Sequence, residues 1–186
     1  MTKIIAFAGS NHSKSINQLL IQNAVCQIKN TEVEVVNLRE FNVPIYGIDQ
    51  ENSTGIPRSI FILKEKLQSA SGFIIASPEH NGSMPAFFKN IIDWLSRIDQ
   101  NIFNNKPTIL FSASPGANGG KTNLAHLAKL MPFWGAEVIE TFSIGNFNRY
   151  QINDSLSLPK VIQTHLQKAI MGLENHVCDA CLADIY

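Results

Sequence analysis

The sequence has no excess of charge of either sign, few cysteines and no long apolar run. Its 15 Lys and Arg residues balance 15 Asp and Glu residues, so net charge gives no reason to expect a nucleic acid or an anionic membrane as partner. No apolar stretch approaches the roughly 18 residues that a membrane-spanning helix needs. The opening apolar stretch is too short for a signal peptide, and the odd number of cysteines does not suggest a disulfide framework. These absences favour a cytoplasmic protein.

Two familiar phosphate-binding motifs are also missing. The dinucleotide fingerprint G-x-G-x-x-G is absent, because Gly9 is the only glycine in the first glycine-containing turn. The stretch P-G-A-N-G-G-K-T approaches the phosphate loop of nucleoside triphosphatases, but Pro115 stands where the first glycine belongs and Gly116 is one residue too close. The sequence therefore favours neither a Rossmann-type dinucleotide site nor phosphoryl transfer.

What is present is a regular alternation of short β-rich runs with helical patterns. Predicted strands cover residues 3–8, 33–38, 72–77, 107–112 and 137–144, and predicted helices cover residues 15–29, 57–70, 85–97, 121–133 and 158–173. This alternation predicts one α/β domain over residues 1–186, with a doubly wound five-stranded parallel sheet of order 2-1-3-4-5 and helices on both faces. Residues 42–56 are predicted to be a loop.

Three polar, glycine-containing turns follow strands 1, 3 and 4 of this sheet. In doubly wound sheets ligands bind beyond the carboxyl ends of the strands, so the three turns are expected to form one site. The first turn combines a helix start with hydroxyl, amide and lysine donors and contains no acidic residue, which favours a phosphate. Its donors are Ser10, Asn11, Ser13, Lys14, Ser15 and Asn17. A purely helix-capping role for Ser13 or Ser15 remains an alternative.

The second turn, Pro78 to Gly82, offers a stiffened row of backbone groups and the amide of Asn81, suited to the edge of a planar heterocycle. Glycines in the third turn would let its backbone approach a flat ligand. Together the turns match the shape of a mononucleotide, flavin mononucleotide (FMN) above all. Ordinary solvent-facing or capping roles remain open for Glu79, His80 and His12.

Four ordered patterns between residues 3 and 147 resemble those of the NADPH-dependent FMN reductases of flavodoxin-like fold, a group that includes azoreductases and chromate and quinone reductases. The patterns are G-S-x-x-x-x-S-x-N from Gly9, P-E-x-N from Pro78, K-N-x-I-D-W-x-S-R from Lys89 and S-A-S-P-G-x-x-G-G from Ser112. The resemblance implies a bound FMN that takes hydride from NADPH or NADH and passes electrons to a small-molecule acceptor. It requires no metal and no catalytic acid or base, because the cofactor carries the chemistry.

Matching the patterns residue by residue gives the expected cofactor-binding set. The phosphate would be held by Ser10, Ser15, Ile16 and Asn17, with His12 beside them. The isoalloxazine ring would be lined by Pro78, Glu79, His80, Asn81 and Gly82. The slot that holds the ring would be closed by Ser114, Pro115 and Gly116. Members of the group commonly have arginine in place of His12 and tyrosine in place of His80. Histidine is mostly uncharged at neutral pH, so FMN binding is expected to be weaker and more pH-dependent here.

The resemblance also implies a homodimer, or a tetramer of two such dimers, formed through the helix Pro85–Arg97. We expect three aromatic side chains of that helix to be exposed, which favours an interface there: Phe87, Phe88 and Trp94. Two other functions remain open: a flavodoxin-like electron carrier that never oxidises nicotinamide, and a flavin-binding regulator. The acceptor, the choice between NADPH and NADH, and the role of Cys178 and Cys181 are left open by the sequence.

Overall fold

The protein folds around a parallel five-stranded sheet, described here from a computed structural model that covers residues 2–153 and 155–183. The strands are β1 (Lys3–Ala8), β2 (Glu32–Val35), β3 (Gly72–Ala76), β4 (Lys106–Ala113) and β5 (Ala136–Ile144). Their spatial order is β2-β1-β3-β4-β5, which confirms the predicted doubly wound topology. The helices are α1 (Ile16–Val25), α2 (Ile48–Thr54), α3 (Arg58–Gln68), α4 (Ala86–Ile98), α5 (Lys121–Leu130) and α6 (Lys160–Ala183).

Both faces of the three central strands, β1, β3 and β4, are buried, as the uncharged sequence of β3 predicts. Along β1, Ile5 and Phe7 point into a core formed with α3, α4 and α5. Their neighbours Ile4 and Ala6 point to the opposite core, formed with α1 and α6. This alternation leaves only the ends of the strands open to a ligand.

The element boundaries differ from the predicted ones in several places. Pro57 and Pro85 are extended residues that precede α3 and α4 and are not the first helical residues. Within the predicted loop, residues 48–54 form α2, and after β5 the strands β6 (Gln151–Ile152) and β7 (Ser155–Leu156) form a small antiparallel hairpin. The last helix continues past its predicted end to Ala183, so it includes Cys178, whose side chain is exposed. The side chain of Cys181 lies outside the described residues.

The aromatic residues of α4 correct one expectation. Phe88 and Trp94 are fully buried within the single chain, and Phe87 is partly buried. The outward face of α4 carries instead an ion pair between Lys89 and Asp93, one turn apart. The argument from exposed aromatic residues to a subunit interface on this helix is therefore wrong.

Segment 42–56 covers α4 and explains the burial of Trp94. The indole Nε1 donates to the carbonyl of Pro44 at 2.8 Å, and the ring of Tyr46 meets that of Trp94 edge to face at 5.1 Å. The backbone N–H of Tyr46 donates to Asn90 Oδ1 at 2.7 Å. Burial, and then the hydrogen bond to Glu51, raises the pKa of the Tyr46 phenol.

A buried cation lies at the opposite end of the sheet, near the start of β4. Lys64 of α3 is only 3% exposed, and its Nζ donates at 2.9 Å to both the carboxylate of Asp99 and the carbonyl of Asn101. A longer contact of 3.4 Å reaches the carbonyl of Ile102. Hydrogen bonds from Lys64, and then from the Asn101 backbone, lower the pKa of Asp99. Lys64 thus holds α3 to the connection between α4 and β4.

None of the helices in residues 2–153 and 155–183 combines the length and the apolar character needed to cross a membrane.

Candidate functional site at the carboxyl edge of the sheet

The three predicted turns meet at one edge because each continues the hydrogen bonding of the parallel sheet for one more residue. Gly9 N donates to the carbonyl of Ala76 at 2.8 Å, Ser77 N to Phe111 at 2.9 Å and Ser114 N to Ile144 at 3.1 Å. Gly9 is required by packing, since a Cβ there would lie 2.7 Å from Cγ of Phe88. The predicted site residues lie on these turns, except Ile16 and Asn17, which are the first two residues of α1.

The first turn presents unpaired donors at the start of α1. Ser15 is the N-cap and accepts from Gln18 N at 3.4 Å, and Ser10 Oγ accepts from His12 N at 3.3 Å. Within the described residues, the backbone N–H groups of Ile16 and Asn17 donate to no protein atom, as expected for the first turn of a helix. This end of the site suits an anion, because the helix dipole adds to the free N–H groups.

The side chain of Asn17 is committed to structure. It is 1% exposed, its Nδ2 donates to the carbonyl of Ala113 at 3.0 Å, and its Oδ1 accepts from Ala113 N at 2.9 Å. This pair of bonds joins the first turn to the end of β4. In this geometry only the backbone N–H of Asn17 is available to a ligand.

The second turn contains a tight hairpin that the sequence analysis did not identify, although Asn-Gly is a strong indicator of one. Asn81 and Gly82 both have positive φ, 53° and 78°, and His80 and Ser83 exchange two backbone hydrogen bonds, of 2.8 and 3.1 Å. The backbone of His80 is therefore used internally. Within the described residues, the N–H groups of Glu79, Asn81 and Gly82 have no protein acceptor, so they form the row of donors that the sequence predicts.

Glu79 connects the second turn to α5. Its Oε2 accepts from the backbone N–H of Asn123 at 2.9 Å. Asn123 is fully buried, and its Nδ2 donates at 3.0 Å both to Ser77 Oγ and to the carbonyl of Pro78. The N-cap residue of α5 is Gly120, which has no side chain to cap the helix, so Glu79 supplies the cap from a different part of the chain. Asn123 was missed by the sequence analysis.

Gly120 permits this close packing. Its φ is 74°, in the left-handed region, and a Cβ there would lie 2.1 Å from Ser112 Oγ. Ser112 Oγ in turn donates to the carbonyl of Ser77 at 2.8 Å. Ser112, Ser77 and the start of α5 are thus packed directly behind the second turn.

The third turn is held by the segment that follows β5. The carbonyl of Gly116 accepts from Asn146 N at 2.9 Å and from Ser114 Oγ at 3.1 Å. Pro115 and Gly116 are exposed, as a surface that closes over a ligand requires. This supporting role of the residues after β5 was also missed.

The two histidines of the site are both exposed. His12 lines a cavity of about 200 Å³ beside the first turn. His80 lines a cavity of about 450 Å³ that also contains Lys89 of α4 and His126 of α5. The larger cavity opens next to the second turn and is wide enough for a small organic molecule.

Replacing Glu79 by alanine is expected to lower the free energy of unfolding by about 1 kcal/mol, because the N–H of Asn123 loses its cap. Glu79→Gln keeps an acceptor oxygen and should retain most of the stability. Urea denaturation followed by circular dichroism measures both, with Glu65→Ala, an exposed residue of α3, as the matched control. Equal stability of Glu79→Ala and Glu65→Ala would show that the cap contributes nothing.

Comparison with known proteins gives consistent findings. The profile of the family described as NADPH-dependent FMN reductase matches residues 2–149. A protein named quinone reductase from Escherichia coli is 30% identical over 138 residues, which are 74% of this chain and 73% of that protein. A protein named NAD(P)H-dependent FMN reductase from Pseudomonas aeruginosa is 30% identical over 132 residues, 70% of either chain.

Among solved structures, the fold is similar to that of a flavoenzyme NAD(P)H:(acceptor) oxidoreductase from Paracoccus denitrificans. The TM-score is 0.76 at 22% sequence identity, and the match covers 96% of this chain and 98% of that one. This likeness supports the flavodoxin-like fold.

Proposed function

The chain belongs to the NADPH-dependent FMN reductase family, and we propose that it is an NAD(P)H-dependent oxidoreductase that holds FMN across the three turns and reduces a small-molecule acceptor. The observation that carries this proposal is the arrangement of free donors at one edge of the sheet. Unpaired N–H groups at the start of α1 suit a phosphate, and those of Glu79, Asn81 and Gly82 suit the carbonyl and nitrogen edge of a flavin ring. These N–H groups take no part in the backbone bonds described above, so they are free to bind FMN.

When bound, FMN supplies the hydride acceptor and donor chemistry, and the protein provides binding, orientation and electrostatics. Ser10, Ser15 and the N–H groups of Ile16 and Asn17 would hold the phosphate. The hairpin at Asn81 and Gly82 would hold the ring edge in a fixed position, because its own hydrogen bonds set its shape. The exposed backbone at Ser114, Pro115 and Gly116 would cover the ring from the side of β4.

The acceptor that this proposal favours is a quinone, an azo compound, a metal oxyanion or a free flavin. Support comes from the cavity of about 450 Å³ beside the second turn, which would give such a molecule access to the ring. We also propose a homodimer, or a tetramer of two dimers, formed through the helix α4, and a cytoplasmic location. Sedimentation equilibrium of the purified protein tests the assembly, since a monomer at micromolar concentration would exclude it.

The function is tested by the visible spectrum of purified protein that has been loaded with FMN and desalted, recorded before and after anaerobic addition of NADPH or NADH. We expect the protein to retain a flavin absorption band. This band should bleach as soon as NADPH, NADH or both are mixed with the protein. Retained flavin that stays oxidised with both would favour an electron carrier, the alternative from sequence. Absence of retained flavin would refute the cofactor assignment for this chain.

A further inference from the structure

The first turn is bordered by a segment that the sequence analysis did not connect with it. A short 3-10 helix, Leu38–Glu40, follows β2. Because β2 pairs in parallel with β1, the carboxyl ends of the two strands open on the same edge. Arg39 of this short helix therefore lies beside the phosphate end of the site.

A cavity of about 200 Å³ lies between the two segments. Ser10, His12 and Ser15 line it from the first turn, and Asn37 and Arg39 line it from the segment after β2. All eight lining residues are polar, two are basic and none is acidic. Nearby Glu40 is not part of the lining and accepts from Asn37 Nδ2 at 3.1 Å. The composition of this cavity favours an anionic group.

The donors that face the cavity lack acceptors. Within the described residues, the guanidinium of Arg39 makes no ion pair and no hydrogen bond, although its backbone N–H is fixed by Asn37 Oδ1 at 3.2 Å. Ser10 and Ser15 are 9% and 8% exposed, and each hydroxyl accepts one backbone N–H. Neither hydroxyl donates to an atom of the described chain. A ligand with several acceptor oxygens would satisfy all three groups.

We propose that Arg39 binds the phosphate of FMN and supplies a positive charge there. This inference rests on the proposed function, since it names a further residue of the same site. An arginine suits the role because its planar guanidinium donates two parallel hydrogen bonds to a phosphate and stays charged at every physiological pH.

The test compares FMN with riboflavin, which has the same ring and lacks the phosphate. Dissociation constants are measured by flavin fluorescence at pH 7.5 and low ionic strength for the wild type, Arg39→Gln and Arg39→Lys. Arg39→Gln is expected to weaken FMN binding about tenfold and to change riboflavin binding less than about twofold. Arg39→Lys should recover part of the loss, because it keeps the charge without the bidentate geometry. Arg58→Gln, the loss of an exposed arginine at the start of α3, is the matched control.

The outcomes separate this inference from the proposed function. Wild type that binds FMN, with Arg39→Gln binding it equally well, would overturn the role of Arg39 and leave the flavin function intact. An equal loss for FMN and riboflavin would overturn it too, because the effect would not arise at the phosphate. A KM that rises for NADPH alone, with FMN binding unchanged, would assign Arg39 to the 2′-phosphate of the nucleotide. Wild type that binds neither flavin would refute the proposed function together with this inference.

Discussion

Gly120→Ala is expected to unfold at a temperature roughly 4–12 °C below that of the wild type. Two costs add. The left-handed conformation at φ 74° costs a residue with a Cβ about 1–2 kcal/mol. A Cβ at 2.1 Å would also displace Ser112 Oγ from the carbonyl of Ser77, at about 1 kcal/mol for the lost hydrogen bond. The expected loss in the free energy of unfolding is therefore about 2–3 kcal/mol.

The same substitution should weaken FMN binding at least about tenfold in the protein that remains folded. The reason is that Glu79 of the second turn and the preceding Ser77 are both hydrogen-bonded to Asn123, in the first turn of α5. Calorimetry and fluorescence titration measure the two effects. Gly47→Ala is the control, because Gly47 has an extended φ of −163° and no atom within 4 Å of a new Cβ. If Gly120→Ala melted together with Gly47→Ala, the packing argument for this turn would fail.

Lys64→Met is expected to lower the free energy of unfolding by about 2–3 kcal/mol, because the carbonyls of Asn101 and Ile102 lose their buried donor. Methionine has a similar length and fills the same volume, so the decrease in the free energy of unfolding measures the contribution of the ammonium group. Lys66→Met on the same helix is the control: Lys66 is 41% exposed and pairs with Glu34 at 2.6 Å, and such surface pairs contribute about 0–1 kcal/mol. Urea denaturation compares the two variants, and equal losses would contradict the expectation.

The difference in stability between the wild type and Lys64→Met should also depend on pH. The pKa of Asp99 is lowered in the folded protein, so the contribution of its ion pair is fully present above the ordinary carboxyl pKa of about 3.9. It is lost as the pH falls through the lower folded value. The difference in stability between the wild type and Lys64→Met should therefore narrow below about pH 4. A difference that stays constant from pH 6 to pH 3 would show that Asp99 takes no part. Flavin affinity should be unchanged throughout, because Lys64 lies at the other end of the sheet.

The sheet and the placement of the three polar turns are predictable from sequence because they depend on local patterns. Alternating apolar strands and helices leave few ways to wind a parallel sheet, and the polar turns necessarily fall at its carboxyl edge. By contrast, α2 has no buried residue and no apolar periodicity. Its Glu51 is bonded to Arg97 at 2.8 Å, a contact across 46 residues that no local pattern reveals.

The same limit explains the other differences. The partner of Glu79 is the backbone of Asn123, 44 residues away, so a capping role was open from sequence but its helix was not identifiable. The sequence interpretation of Trp94 as exposed is wrong because the contact that covers it comes from Pro44, 50 residues earlier in the chain. The structure buries it beneath segment 42–56, whose path over α4 depends on the hydrogen bond between Trp94 Nε1 and the Pro44 carbonyl.

The final helix, α6, lies outside the part of the chain that matches the family profile, yet it belongs to the core. The family profile ends at residue 149, yet α6, which starts at Lys160, places Leu166, Ile170 and Leu173 in the core on the α1 face of the sheet. Its approach is so close that a Cβ on Gly72 of β3 would lie 2.8 Å from Cγ2 of Val177. In this chain the region that matches the family profile therefore does not cover both faces of its own sheet. Without α6, one side of β3 and β4 would be left as a wide apolar surface prone to aggregation.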